Sequence, residues 1–151
     1  MNIICGMHRS GTSLITRLLH EAGADLGDPS TMYSGDRWNP EGYYEQREIQ
    51  AINIRLVNGL WGKFAYLRLP SEARILRRAR WEAPRIRTAM NFYRGKTVKE
   101  NRFCLTLPAW RELGADVNRV LVCIRHPAAI ARSLWKRNRA PKRLAYHLWH
   151  V

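Results

Sequence analysis

Gly6-Met7-His8-Arg9-Ser10-Gly11-Thr12-Ser13 brings together two glycines, a permanent cation and three hydroxyls within eight residues. Those are the groups that hold an anion. Gly6 and Gly11 can take positive φ and fold the backbone tightly around a phosphate. Successive N–H groups then converge on it, and a helix starting at the same point adds its positive dipole end. The glycine spacing is that of the Walker A pattern G-x-x-x-x-G-K-[ST], but Thr12 stands where nucleotide-hydrolysing loops carry lysine. The expected chemistry is phosphate binding without ordinary nucleotide hydrolysis.

A second constellation lies far along the chain. Arg125 follows the apolar run Val120-Leu121-Val122-Cys123-Ile124 and leads into His126-Pro127, with Ser133 eight residues after the arginine. A guanidinium fork grips a phosphate at two points. A kinase or ATPase of this kind would end such a run with an aspartate for Mg²⁺, and none is present in this one. Arginine, lysine and hydroxyls without a metal carboxylate suit a transferred group less charged than phosphoryl. A sulfuryl group is one.

With both constellations in view, Gly6 to Ser13 resembles the 5′-phosphosulfate loop of the sulfotransferases that use 3′-phosphoadenosine 5′-phosphosulfate (PAPS). Arg125-His126-Pro127 with Ser133 resembles their 3′-phosphate motif. The segment Asn39-Pro40-Glu41-Gly42-Tyr43-Tyr44-Glu45 and the run Lys99-Glu100-Asn101-Arg102-Phe103 make the likeness closest to the bacterial and carbohydrate-type members. The resemblance covers most of the chain in order.

The resemblance implies a three-layer α/β/α fold with a central parallel sheet, P-loop NTPase-like, PAPS as donor and PAP as product, and no metal. The acceptor would be a small molecule or a carbohydrate. Arg9 would act catalytically, neutralising charge on the leaving phosphate oxygen. Arg9, Ser10, Gly11, Thr12 and Ser13 would hold the 5′-phosphosulfate, and Arg125 and Ser133 the 3′-phosphate. Cytosolic members carry their basic histidine in a Lys-x-His segment, where this chain reads Lys99-Glu100-Asn101. Other members use a glutamate from the segment after the loop helix. Glu45 fits that place, with Glu41 as the alternative; Lys99 and Arg102 would lie near the sulfonate or the acceptor, and His8 could touch the sulfonate.

Two other classes stay open. A P-loop kinase would bind ATP with Mg²⁺. A basic non-catalytic nucleic-acid binder could use the aromatic and arginine-rich region from Trp61 to Arg94, with its Arg77-Arg78 and Arg80-Trp81 pairs. The 26 basic residues against 12 acidic ones, a net charge of +14, suit any polyanionic partner.

The elements that must position these groups follow from periodicity and punctuation. Ile3 to Cys5 predicts a strand. Leu14, Ile15, Leu18, Leu19 and Ala22 predict a helix with an apolar face, capped by one of Ser10, Thr12 and Ser13 and ended by Gly23. Residues 24 to 43 read as a long functional loop. A helix is expected from about Tyr44 to Leu60, with Ile49, Ile52, Leu56 and Leu60 on one face and Arg47, Gln50 and Asn53 elsewhere. Ser71-Glu72 starts another, which Pro84 should kink or restart and Gly95 stops.

Thr97 to Lys99 is a short strand candidate and Leu107 to Leu113 a short helix. Arg119 to Ile124 reads as the clearest buried strand. Pro127 suits the first turn of a helix turning Ala128, Ile130, Ala131 and Leu134 inward, and a last helix runs from Lys142. The 151 residues suit a single domain, 1 to 151, and three strands imply that it lacks the C-terminal part of the full fold. No apolar run reaches the roughly 18 residues of a membrane span, and no signal-peptide pattern is present, so the protein reads as soluble and cytoplasmic. Cys5, Cys104 and Cys123 read as reduced thiols packed as small hydrophobes.

Overall fold

The computed structural model describes residues 1–59 and 69–149. Leu60, Trp61, Tyr66, His150 and Val151, which bear on expectations above, lie outside the described residues. The described part is a mixed α/β structure whose three parallel strands run in the order β2-β1-β3. They are β1 (Asn2–Gly6), β2 (Thr97–Lys99) and β3 (Arg119–Cys123). The six helices are α1 (Thr12–Glu21), α2 (Arg47–Asn58), α3 (Glu72–Phe92), α4 (Phe103–Glu112), α5 (Pro127–Asn138) and α6 (Lys142–Trp149). None is long and apolar enough to cross a membrane among the described residues.

Strand alternation divides the sheet into two faces. Ile3 pairs in register with Val98, and both join Cys5 in one apolar cluster with Ile49, Ile52 and Leu56 of α2, Ile75, Ala79, Ile86 and Ala89 of α3, and Phe103 and Trp110 of α4. The Phe103 and Trp110 rings meet edge to face at 5.4 Å. Burying each large side chain here contributes about 1.5–3 kcal/mol. The opposite face carries Ile4 and, in register beside it, Lys99. That lysine is buried.

Several expectations need correction. The run Arg119 to Ile124 holds an edge strand, not a buried one: among the described residues it pairs only with β1, and Val122 is 54% and Ile124 80% exposed. The helix after the loop buries Thr12 and Thr16, leaving Leu14 and Leu18 exposed; the buried hydroxyls are satisfied internally, Thr12 on Asn101 and Thr16 on the Thr12 carbonyl. The second helix begins at Arg47, not Tyr44, so Glu45 precedes it. Asn53 is fully buried on α2 beside the apolar face. Pro84 does not restart the helix, since α3 runs unbroken through it; it sits on the exposed side, where water can serve the carbonyl that loses its partner. The helix placed at Leu107 starts four residues earlier, at Phe103.

Candidate functional site

The loop's backbone takes the shape its glycines allow. Gly6, Arg9 and Gly11 have φ of 151°, 71° and 91°. A side chain at Gly6 would run into the Cys123 carbonyl oxygen of the adjoining strand, so the close approach of β3 itself demands glycine. Arg9 is a non-glycine residue in the left-handed region, an uncommon conformation that concentrates at functional sites. Ser10 N–H closes a turn on Met7 C=O at 3.1 Å, and Gly11 opens α1.

No side chain caps that helix, contrary to expectation. The first intrahelical bond runs from Ile15 N–H to Gly11 C=O at 3.1 Å, so the N–H groups of Thr12, Ser13 and Leu14 precede it. The hydroxyls that could have capped are committed elsewhere. Thr12 donates to Asn101 Oδ1 at 3.2 Å, and Ser13 to Tyr43 C=O at 3.4 Å. The buried Ser10 hydroxyl oxygen has no hydrogen-bond partner among the described residues.

The two motifs meet in space. Arg9 Nε donates to Ser133 Oγ on α5 at 2.9 Å across 124 residues of sequence, and Arg125 Nη1 donates to Arg9 C=O at 3.1 Å across 116. His126 fixes the direction of α5 by accepting from Ala128 N–H at 3.3 Å, with Pro127 in the first turn. Burial, followed by Arg137 and Arg125 nearby, pulls the Arg9 guanidinium down from its ordinary value. Like charges held together in this way favour an anion between them.

Across from this corner stands Glu45. It is buried, paired with the Lys99 ammonium, which is 1% exposed, and it accepts from Gln50 Nε2 at 2.6 Å. The neighbouring Gln46 holds it there: its amide oxygen accepts from Lys99 N–H at 3.1 Å, and its Nε2 donates to Thr97 C=O at 3.4 Å and Leu26 C=O at 3.1 Å. This side chain occupies the free edge of β2 as a strand would. Tyr44, with φ 55°, makes the bend that lets both residues point inward. Glu41 instead pairs with Arg17 at 2.7 Å, on the exposed side.

Between the two corners lie His8 and Asn101. Since Asn101 Oδ1 takes the Thr12 hydroxyl, its Nδ2 faces His8 Nδ1 at 2.9 Å, which leaves the histidine proton on Nε2. Burial, aided by the Arg102 and Lys99 cations, lowers His8 to about 4, so it is neutral at physiological pH. At the rim, Arg137 donates to Tyr43 Oη at 2.6 Å, and Tyr43 donates to Asp36 at 2.7 Å.

His8, Arg9, Gly11, Thr12, Ser13, Glu45, Lys99, Arg125 and Arg137 together line one polar cavity of about 480 Å³. Of the site residues singled out from sequence, Ser10, Glu41, Arg102 and Ser133 do not line it; Ser133 touches it through Arg9. A second, largely apolar cavity of about 250 Å³ shares the His8–Asn101 wall and is lined by Val57, Leu69, Leu105 and Trp149 among others. Arg102 lines that cavity and bonds to buried Glu100 at 2.6 Å. Gln46 and Arg137 went unread in the sequence; only an unusual density of polar residues around Glu45 hints at the first. The chain matches no protein-family model, no curated protein and no solved structure.

Proposed function

We propose that the chain is a sulfotransferase, moving a sulfuryl group from PAPS to a hydroxyl or amine acceptor on a P-loop NTPase-like α/β/α scaffold. The observation that carries this is the junction of Arg9, Ser133 and Arg125 at one end of a cavity whose other end holds Glu45 and Lys99. The loop arginine and the Arg125–Ser133 pair adjoin one another at this junction, an arrangement that suits a donor with phosphates at both its 5′ and 3′ positions.

In this scheme Arg125 and Ser133 hold the 3′-phosphate, and the first-turn N–H groups of α1 with Arg9 hold the 5′ end. Arg9 exchanges its bond to Ser133 for the anion. Glu45 takes the proton of the acceptor as its oxygen or nitrogen attacks sulfur in line. Lys99 and Arg9 stabilise negative charge growing on the leaving phosphate oxygen. The acceptor is a small molecule or a carbohydrate, and no residue of the scheme calls for a metal.

Calorimetric titration with PAP and with 5′-AMP tests the binding half: clear preference for PAP is expected, and equal affinity overturns the two-phosphate assignment. Glu45→Gln tests the catalytic half. Transfer should drop by about 10²–10⁴-fold while PAP still binds.

One observation favours a different reading. Trp81 on α3 is 85% exposed, with Arg77 and Arg85 one turn away on either side. An exposed aromatic between arginines suits stacking on single-stranded nucleic acid. Steeply salt-dependent binding that PAP does not compete would support that alternative.

A further inference from the structure

The three cysteines converge on Gly6. Cys5 precedes it on β1, and Cys123 stands opposite it in the β3 register. Cys104, in the first turn of α4, lies beside the Cys5 thiol and the Gly6 N–H and shares one cleft with Cys5. All three are free; Cys5 and Cys123 are buried, while Cys104 is exposed. Cys5 and Cys104 line one apolar cleft with Phe103, Leu107, Val120 and Val122, and Cys104 also opens into the apolar cavity beside Met7 and His8.

This geometry separates two roles that a redox-active thiol pair needs. One sulfur must be reachable by oxidant, and the other must lie against it and be shielded. We infer that Cys104 and Cys5 form a redox-active pair, in which Cys104 is oxidised by a hydroperoxide and Cys5 closes the disulfide at the root of the anion loop.

The Cys104 thiolate attacks the peroxide, forming S–O and breaking O–O; the product is a sulfenic acid, and the departing hydroxide takes back the proton that the Cys104 thiol gave up, leaving as water. The Cys5 sulfur then attacks the Cys104 sulfur; S–S forms, S–O breaks, and hydroxide leaves with the Cys5 proton as a second water. Two thiols lose two electrons, and the hydrogen peroxide is reduced to two waters. The hydrogen bonds from Cys5 and the Gly6 N–H pull the Cys104 thiol down from its ordinary value, which favours the attacking thiolate. The same contact and burial push Cys5 up, suiting it to hold its proton until the second step.

Tryptic peptides keep the three thiols apart, as residues 1–9, 103–111 and 120–125. After limited hydrogen peroxide treatment of the folded chain, mass spectrometry should find peptide 1–9 linked to 103–111, lighter than their sum by two hydrogens. The link should persist in Cys123→Ser and vanish in Cys104→Ser. In Cys5→Ala, Cys104 should stall as a sulfenic acid that dimedone labels. Any of three results on the wild-type chain overturns the inference: a Cys5–Cys123 link instead, a Cys104 link only between two copies, or unlinked 103–111 carried on to sulfinic acid. The wild-type result decides the matter even if a cysteine variant fails to fold, and restoration of both free peptides by dithiothreitol completes the expected pattern.

Discussion

Lys99 on β2 and Glu45, two residues ahead of α2, are joined as a buried ion pair across 54 residues of sequence. Both charges are largely withdrawn from solvent, so each depends on the other and on a few fixed donors. Gln50 supplies one of these to the carboxylate, and Gln46 pins the backbone on both sides. The arrangement keeps a carboxylate and an ammonium side by side in a cavity that also presents the guanidinium groups of Arg9, Arg125 and Arg137 and the hydroxyls of Thr12 and Ser13. Such a pair can exchange partners when an acceptor and an anion enter.

Removing one partner should cost far more than removing both. Lys99→Met leaves the Glu45 carboxylate buried beside Gln50 alone, and the loss should be about 3–5 kcal/mol in urea unfolding. Adding Glu45→Gln to it should recover a substantial part, because the orphaned charge is then gone. Strict additivity of the two single losses would show that the pair is not coupled.

How much of this was legible depended on whether the cause was local. The loop could be read because Gly6 and Gly11 answer to backbone geometry, and the positive φ values appear where expected. Ile49, Ile52 and Leu56 likewise face the core, as their spacing demands. Sheet position could not be read: an apolar run such as Val120 to Ile124 advertises pairing, not how many neighbours cover it. Asn53 was misplaced for a related reason. Its Oδ1 accepts from Thr106 at 2.9 Å and Trp110 Nε1 at 2.8 Å, and its Nδ2 serves Glu100 at 2.9 Å, all about fifty residues away. Gln46 is the same case, since the strand edge it covers belongs to β2.

That Asn53 network should be expensive to break. Asn53→Ala orphans the Trp110 donor, leaves the Thr106 hydroxyl with the Arg102 carbonyl alone, and weakens the support of buried Glu100, whose carboxyl burial already pushes up. Each unsatisfied buried group costs about 1–3 kcal/mol, so a total loss above about 3 kcal/mol is expected from urea titration. A loss under about 1 kcal/mol would mean that the network is replaced by water.

His8 gives the site a pH dependence of definite sign. Its folded value of about 4 lies below the ordinary value of 6.5, so the unfolded chain binds the proton more readily. Stability should therefore fall as pH drops from about 6.5 through 4, with no further contribution from this group below that. Urea midpoints measured across this window should decline more steeply for the native chain than for His8→Gln. Parallel curves would assign the decline to other groups, and an NMR titration of the His8 ring should show its midpoint near 4 directly.

The two loop glycines should respond differently to the same substitution. At Gly11 nothing lies within 4 Å of an added Cβ, so Gly11→Ala meets only the strain of φ 91°. That strain is worth about 1–2 kcal/mol. At Gly6 the added carbon would strike the Cys123 carbonyl oxygen, and β3 would have to move away from β1. Gly6→Ala should therefore cost more than about 3 kcal/mol, and under the proposed function it should weaken PAP binding through Arg125, which follows that strand. Gly11→Ala should keep the strand register and lose affinity only at the loop. Amide hydrogen exchange separates the two: faster exchange along Val120 to Cys123 is expected in Gly6→Ala alone, and equal protection in both variants would show that the carbonyl contact does not set the strand spacing.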